Sequence, residues 1–308
     1  MNCYLMYDVG GTSIKAGLLT EQGNLFKDQI SSFDSKAKGS KSEILHNFVH
    51  IANELLLQTE SCSPKILGVG MAFPGPFDYE RGISYMTGID KYDAIYGCQI
   101  REELTSLLRQ SSIGHVFQTP LPFVFLNDIE AFAIGECNYG KASMYQRVMY
   151  LCIGTGAGSA FTIGKQIAKK ESEQVPENGW IYNYPFKESI LDDYVSVRGL
   201  RKITEEYFTS PPDGLALSQM AHGAHPLALA VFQSFGETVC LGMKPFLEHF
   251  QPNAFVLGGQ ISKSFSFFGK ELTEYCKEKN ITILLSEDTS QRILQGLYKQ
   301  ITGISLES

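Results

Sequence analysis

No two of the seven cysteines form a Cys-x-x-Cys pair. Cys3, Cys62, Cys98, Cys137, Cys152, Cys240 and Cys276 are odd in number and widely scattered. That pattern excludes a disulfide framework or a cysteine zinc site written in the spacing, and it points to a reducing cytoplasm. The chain also lacks a basic stretch followed by an apolar one near Met1, so no signal peptide is read. No apolar run approaches the roughly 20 residues that span a bilayer, and no membrane partner is expected. Positive charge is in short supply too: 26 Lys and Arg face 33 Asp and Glu, a formal charge of −7. A polyanionic backbone would find no electrostatic footprint, so nucleic acid is not an expected partner. With only 19% charged residues against 44% hydrophobic and 12% aromatic, the composition is that of a folded chain and not a disordered tail. At about 150 residues per domain, 308 residues suggest two domains.

Short apolar runs alternate with longer helix-like stretches, the pattern of an α/β protein. Strands are expected over residues 4–9, 14–19, 66–72, 123–126, 148–153, 159–163, 254–257 and 281–285. Helices are expected over 42–58, 99–110, 129–139, 191–208, 226–250, 265–278 and 290–301. The Pro/Gly-rich stretch 73–97 and the stretch 164–185 are longer than ordinary connections, and loops of that length are usually functional. A strand, a Gly/Thr turn and a second strand occur over 5–19 and again over 150–163. The echo is either coincidence or the mark of two half-molecules, with the boundary near Pro120-Leu121-Pro122.

Four clusters carry candidate chemistry. In Asp8-Val9-Gly10-Gly11-Thr12-Ser13-Ile14-Lys15, two glycines and a small hydroxyl end a buried strand. Backbone N–H groups there can approach an anion because no Cβ stands in the way. Gly10, Gly11, Thr12 and Lys15 are thus candidate phosphate contacts, and Asp8 is a candidate for Mg²⁺ held through water. A plain hairpin explains the glycines but not the acid or the Thr-x-x-Lys; the spacing fits neither a Walker A loop nor a dinucleotide fingerprint. Gly154-Thr155-Gly156 is a second small-residue turn between strands. Gly258-Gly259 ends a strand before a helix, where an adenosine can lie against bare backbone, although a tight turn at a helix start gives the same sequence. Asn127-Asp128 follows an apolar strand and precedes a helix. It reads either as an N-cap or as a carboxylate placed to take a proton from a hydroxyl.

Taken in chain order, Asp8-x-Gly-Gly-Thr, Phe73-Pro74-Gly75-Pro76-x-Asp78, Asn127-Asp128, Gly154-Thr155-Gly156-x-Gly158 and Gly258-Gly259 closely resemble the ROK family of sugar kinases. That family lies within the hexokinase/actin/Hsp70 superfamily, and the resemblance runs over roughly residues 4 to 300. It implies two actin-like, ribonuclease H-like α/β domains, each a central mixed sheet flanked by helices, with the active site in the cleft between them. The expected division is 1–120 and 121–289, with a last helix over 290–304 packing back on the first domain. The resemblance further implies that Gly10, Gly11 and Thr12 face ATP phosphates, with Asp8 near Mg²⁺. Gly154, Thr155 and Gly156 would form a second phosphate loop, and Gly258 and Gly259 would lie beside the adenosine. Asp128 would be the general base, Asn127 would hold another sugar hydroxyl, Gly75 would sit in the sugar-side loop and Asp78 would stabilise that loop's turn. Homodimers are common among relatives, which makes a homodimer the analogous expectation.

The chain departs from its relatives at the sugar side. Relatives carry Glu-x-Gly-His and a cysteine-rich zinc loop; here Glu177-Asn178-Gly179-Trp180 is followed by ten residues without Cys or His. No structural zinc is expected. Glu177 can still accept from a sugar hydroxyl, and Trp180 either offers a flat face to a sugar or fills the space of the lost loop. Asp192 stands where relatives place a sugar-binding Glu, one methylene longer. Glu130 replaces a frequent Asn, and Gly88-Ile89-Asp90-Lys91-Tyr92 replaces an Asn-Leu segment. Glucose is the default substrate, with N-acetylmannosamine, fructose, allose or a β-glucoside compatible with a reshaped pocket. Two other classes compete with the kinase: a sugar-binding regulator and an acceptor-independent ATPase. With seven residues before Asp8, the helix-turn-helix of family repressors is not expected.

Overall fold

The computed structural model describes residues 1–59, 64–88 and 90–303; Cys62, Ile89 and residue 304 of the last expected helix lie outside them. The chain folds as two compact units, Met1–Tyr139 with the segment from Ser290 onward, and Gly140–Thr289.

In the first unit, β1 (Asn2–Val9), β2 (Ser13–Thr20), β3 (Ser31–Asp34), β4 (Lys65–Phe73) and β7 (Phe123–Asn127) form one mixed sheet in the order β3-β2-β1-β4-β7. β1 runs antiparallel to β2 and parallel to β4, which runs parallel to β7. The hairpin β5 (Phe77–Asp78) and β6 (Ile83–Ser84) rises from the 73–97 segment. On one sheet face Leu5, Tyr7 and Val9 of β1 join a buried core with α1 (Lys41–Leu57) and α2 (Ile100–Gln110). α1 begins with a capping box, in which Ser40 and Glu43 satisfy each other's backbone amides. Its buried Ile44, Leu45, Phe48, Ile51, Ala52, Leu55 and Leu56 recur at helical spacing.

The opposite face takes α9 (Thr289–Gly303). β4 offers it Gly68 and Gly70, where an added Cβ would stand 2.5 Å from Ile301 Cδ1 and 2.9 Å from Leu297 Cβ. α3 (Asp128–Tyr139) then crosses α9 at glycine. A Cβ on Gly135 would lie 1.8 Å from the Arg292 carbonyl oxygen, and one on Gly296 1.8 Å from that of Ala131. Only bare backbone permits this approach.

The second unit repeats the plan with β8 (Arg147–Ile153), β9 (Ala157–Ile163), β10 (Gln166–Ile167), β13 (Ala254–Gly258) and β14 (Thr282–Leu285), ordered β10-β9-β8-β13-β14. The pairing senses also match: β8 is antiparallel to β9 and parallel to β13, which is parallel to β14. A small ribbon, β11 (Pro185–Phe186) with β12 (Ser189–Ile190), and five helices complete it: α4 (Val197–Tyr207), α5 (Gly214–His222), α6 (Pro226–Phe250), α7 (Phe265–Phe268) and α8 (Lys270–Glu278). By length and composition α6 is the one helix among the described residues that could cross a membrane. Its Val231, Phe232, Phe235, Val239, Met243 and Phe250 lie in the buried core of the unit.

The two-sheet α/β architecture agrees with the sequence reading, and the internal echo extends to all five strands of each sheet. The boundary falls elsewhere. Residues 121–139, assigned by sequence to the second half, belong to the first unit, because β7 pairs with β4 from Val69–Phe123 to Phe73–Asn127. Pro120 and Pro122 precede an edge strand, a position proline tolerates, so they mark no linker. Two expected helices are broken. Residues 191–208 divide into a 3₁₀ turn over Leu191–Asp193 and α4, while Gly269 separates α7 from α8.

Candidate active site

Asp128 is the first residue of α3, directly after β7, and is half-buried. Its Oδ1 accepts from the Ile129 amide at 2.8 Å, as an N-cap would. Oδ2 accepts no hydrogen bond from any other described residue. Burial raises the carboxyl pKa; the Ile129 amide and the Lys91 charge pull it down, Glu130 pushes it up, and burial wins. A carboxylate so raised is a better proton acceptor near neutral pH than an ordinary Asp. The two sequence readings of this residue are therefore both realised, one on each oxygen.

Asn127 ends β7 beside Phe73, the last residue of β4. Its Oδ1 also accepts from the Ile129 amide, at 3.2 Å, and its Nδ2 donates to the Tyr79 hydroxyl at 3.1 Å. Tyr79 in turn donates to the Phe73 carbonyl at 3.0 Å, and its oxygen lies 3.5 Å from the point a Gly75 Cβ would occupy. One phenol thus ties the Pro-Gly loop, the end of β4 and the Asn-Asp pair together. Asp78 does what its sequence position suggests: Oδ1 accepts from the Arg81 amide at 2.9 Å and fixes the turn.

The Gly10-Gly11-Thr12 turn is held from behind. Tyr92 donates to the Gly10 carbonyl at 2.9 Å, the Ser35 hydroxyl to that of Gly11 at 2.8 Å, and the Ser35 amide to that of Thr12 at 3.1 Å. With three successive carbonyls occupied, an approaching anion meets less repulsion, and Gly11 and Thr12 are exposed to it. Asp8, at the end of β1, is half-buried, and its Oδ2 accepts from the Ser290 hydroxyl at 3.0 Å. Ser290 also accepts from Lys15 Nζ at 2.8 Å. Lys15 was expected at the phosphates; it is bound instead into the Asp8–Ser290 chain, because β2 places it directly across from Asp8. One carboxylate beside a glycine turn fits the usual mode of Mg²⁺ binding, in which phosphate and water supply most of the oxygens. Among the described residues no three His, Cys, Asp or Glu side chains gather to hold a metal by themselves.

In the second unit the β8–β9 turn is closed by the Gly154 amide on the Gly156 carbonyl at 3.0 Å. The Gly154 carbonyl accepts from the Val197 amide at 2.9 Å, and the Thr155 carbonyl from Arg198 Nη1 at 3.2 Å. Asp192 braces the same turn. Its Oδ1 accepts from the Ala157 amide at 2.6 Å, and its Oδ2 pairs with the Arg198 guanidinium. The sequence reading gave Asp192 to a sugar hydroxyl. Both oxygens are taken by protein donors instead, since the shorter side chain stays against the turn. Gly259 has φ +87°, and a Cβ there would stand 2.4 Å from the Ile153 carbonyl oxygen. Its amide donates to Thr289 Oγ1 at 3.0 Å. After Gly258-Gly259 comes a cavity of about 720 Å³, lined in part by Gln260, Ile261, Ser264, Leu200, Leu217 and Phe232.

Glu177 is exposed and lines a different groove, of about 920 Å³, with Trp180, Tyr182, Tyr184, Phe246 and His249. Trp180 is 38% exposed, so it does not plug a core gap.

Tyr79, Ser35 and Ser290 escaped the sequence reading, and Tyr92 entered it only as part of the 88–92 segment, without a role. Each acts on a motif 24 to 282 residues away, and no local spacing signals such a partnership. Lys91 lay in a segment noted for its departure, without a role.

A family model described as "ROK family" matches residues 4–287. A glucokinase of Streptomyces coelicolor is 23% identical over 280 residues, covering 83% of this chain and 81% of its own. A xylose repressor of Bacillus subtilis is 24% identical over 271 residues, covering 84% of this chain and 65% of its own. Among solved structures, a ROK family glucokinase from Streptomyces griseus in complex with glucose and AMPPNP superposes with a TM-score of 0.75 at 16% identity, over 98% of this chain and 99% of its own.

Proposed function

We propose, from the premise that this chain belongs to the ROK family, that it is an ATP-dependent sugar kinase with Asp128 as general base. The observation that carries the reading is the state of that carboxylate. It is half-buried and raised in pKa, one oxygen is spent on its helix, the other is open, and Asn127, Tyr79 and the Pro-Gly loop stand beside it. A sugar hydroxyl would give its proton to Asp128 Oδ2 as its oxygen bonds to the γ-phosphorus. The bond from that phosphorus to the bridging oxygen breaks, and its electron pair leaves with ADP. Such a transfer needs positioning and charge neutralisation more than covalent help. Gly11 and Thr12 would offer amides to phosphate oxygens in the first unit, and Thr155 and Gly156 in the second, while the Gly10 and Gly154 amides close their own turns on the Ser13 and Gly156 carbonyls, at 3.0 Å each. The cavity beside Gly258-Gly259 suits an adenosine. Asp8 would hold Mg²⁺ through water, and the ion would supply positive charge that offsets that of the phosphates. Glu177 and Trp180 are the proposed sugar-side residues of the second unit. A cytoplasmic location and a homodimer complete the reading.

The experiment is ADP release with MgATP across glucose, N-acetylmannosamine, fructose, allose and a β-glucoside. Stimulation by one sugar is the expected result; release that ignores the sugar would overturn the kinase in favour of an ATPase. The match to a xylose repressor favours one second reading, a sugar-binding regulator. It predicts calorimetric sugar binding with no ADP.

The bracing of the second turn by Asp192 separates nucleotide from sugar effects. Asp192→Ala removes the acceptor of the Ala157 amide and one of the partners of Arg198, so the KM for ATP should rise about tenfold, the kinetic equivalent of one charged hydrogen bond. The KM for the sugar should stay within twofold. A rise confined to the sugar would return Asp192 to the sugar pocket.

A further inference from the structure

Lys91 lies where two parts of the proposed site meet. Its neighbour Tyr92 is fully buried and pinned at both ends, by its hydroxyl on the Gly10 carbonyl at 2.9 Å and by its amide on the Ala37 carbonyl at 2.6 Å. That anchorage lays the Lys91 side chain across the face of Gly11. Its Cδ is 2.9 Å, and its Nζ 3.9 Å, from the point where a Gly11 Cβ would be. The absence of a side chain at Gly11 is thus what gives the lysine its place. Lys91 is half-buried as a residue, and its ammonium has neither a hydrogen-bond acceptor nor a carboxylate within ion-pair distance among the described residues. An ammonium held over a glycine turn with no protein partner is available to the negative charge of a ligand. Asp128 feels the same charge, which favours its carboxylate form. Lys38 and Lys41 are exposed and lack this setting: Lys38 pairs with Asp90, and Lys41 with Glu103 at 2.7 Å.

We propose that Lys91 is a catalytic residue of the phosphoryl transfer, its ammonium binding the γ-phosphoryl oxygens between the Gly10-Gly11-Thr12 turn and Asp128. The inference rests on the kinase reading and deepens it. The sugar's proton goes to Asp128, and the lysine offsets the charge on the phosphoryl oxygens as the group moves. A positioned donor aimed at developing charge typically contributes about 10²- to 10³-fold in rate.

The test compares Lys91→Met and Lys91→Arg with the parent chain in three measurements. In turnover, Lys91→Met should lose about 10²- to 10³-fold in kcat with the sugar KM within threefold, and Lys91→Arg should restore part of the loss. In the pH profile, the acidic limb of kcat should move to higher pH in Lys91→Met. Asp128 is faced by Lys91, by Glu130 and, through Asn127, by Tyr79, and only the positive member of that set has gone. In calorimetry, Lys91→Met should bind the γ-phosphate-bearing analogue AMPPNP about tenfold more weakly while ADP affinity is unchanged, which also shows that the variant is folded. A kcat within threefold of the parent with an unmoved acidic limb would overturn the assignment. If the parent phosphorylates no sugar, the kinase reading falls, and the AMPPNP-to-ADP comparison alone decides Lys91: equal affinities for the variant and the parent reject it.

Discussion

Asp128→Asn should lose about 10²- to 10⁴-fold in kcat while still binding sugar, and it should be more stable than the parent chain at neutral pH. The two effects have one cause. The amide keeps the capping acceptor, since Oδ1 still takes the Ile129 N–H, but it cannot accept a proton at the position of Oδ2. It also removes a charge that burial disfavours. The folded-state pKa of Asp128 is raised, so the folded chain holds its proton to higher pH than the unfolded chain does. Stability is therefore lost as pH climbs from the ordinary Asp value, about 3.9, through the raised one, and stays lost above it. The asparagine variant avoids that loss. The gap in melting temperature between the two proteins should be present at pH 7 and close as pH falls below about 4. The kcat of the parent should fall as pH drops through the same raised value, because a protonated base accepts nothing. Thermal melts at pH 7 and pH 4, paired with ADP release, check both parts. A variant with full activity removes Asp128 as the base, whereas one less stable at pH 7 shows that the carboxylate is favoured where it sits.

Much of this site was legible because its backbone parts announce themselves. Gly10-Gly11-Thr12, Gly154-Thr155-Gly156 and Gly258-Gly259 all stand at strand ends, where a missing Cβ has a use, and the structure puts each there. The repeated strand–turn–strand pattern foretold two sheets, though not that they share order and sense through five strands. What the sequence concealed are side chains that act across the chain. Tyr79 joins two motifs through one hydroxyl, and Ser290 reaches Asp8 from 282 residues away. Asp192 misled because resemblance transfers position more faithfully than reach: one methylene fewer puts its oxygens on the Ala157 amide and Arg198. The prolines at 120 and 122 read as a boundary since a proline pair commonly is one, yet Val69 donates to the Pro122 carbonyl at 2.9 Å and draws the segment into the first sheet.

Gly296→Val should lower the melting temperature by roughly 6–12 °C and reduce kcat as well, and both follow from the contact of α3 with α9. A Cβ at 296 would stand 1.8 Å from the Ala131 carbonyl, a distance that no rotamer change relieves, so the helices must part. Overpacking of this kind costs about 3 kcal/mol at the upper end of its range, which at about 2–4 °C per kcal/mol gives the shift. The buried pair Arg292–Glu136, at 3.5 Å beside the crossing, is strained by the same separation and adds to the loss. Activity suffers because α3 presents the proposed base and α9 presents the hydroxyl that holds Asp8 of β1. α3 begins at Asp128, and α9 brings Ser290 to Asp8. Parting the helices moves the proposed base relative to Ser290, the hydrogen-bond partner of the proposed metal-side carboxylate, and misplacement by about 1 Å can cost 10²-fold. Stability then distinguishes placement from chemistry: Gly296→Val should fall in both melting temperature and kcat, while Asp128→Asn falls in kcat and rises in melting temperature. A Gly296→Val chain that melts within 1 °C of the parent would mean that α3 and α9 approach less closely than bare backbone requires.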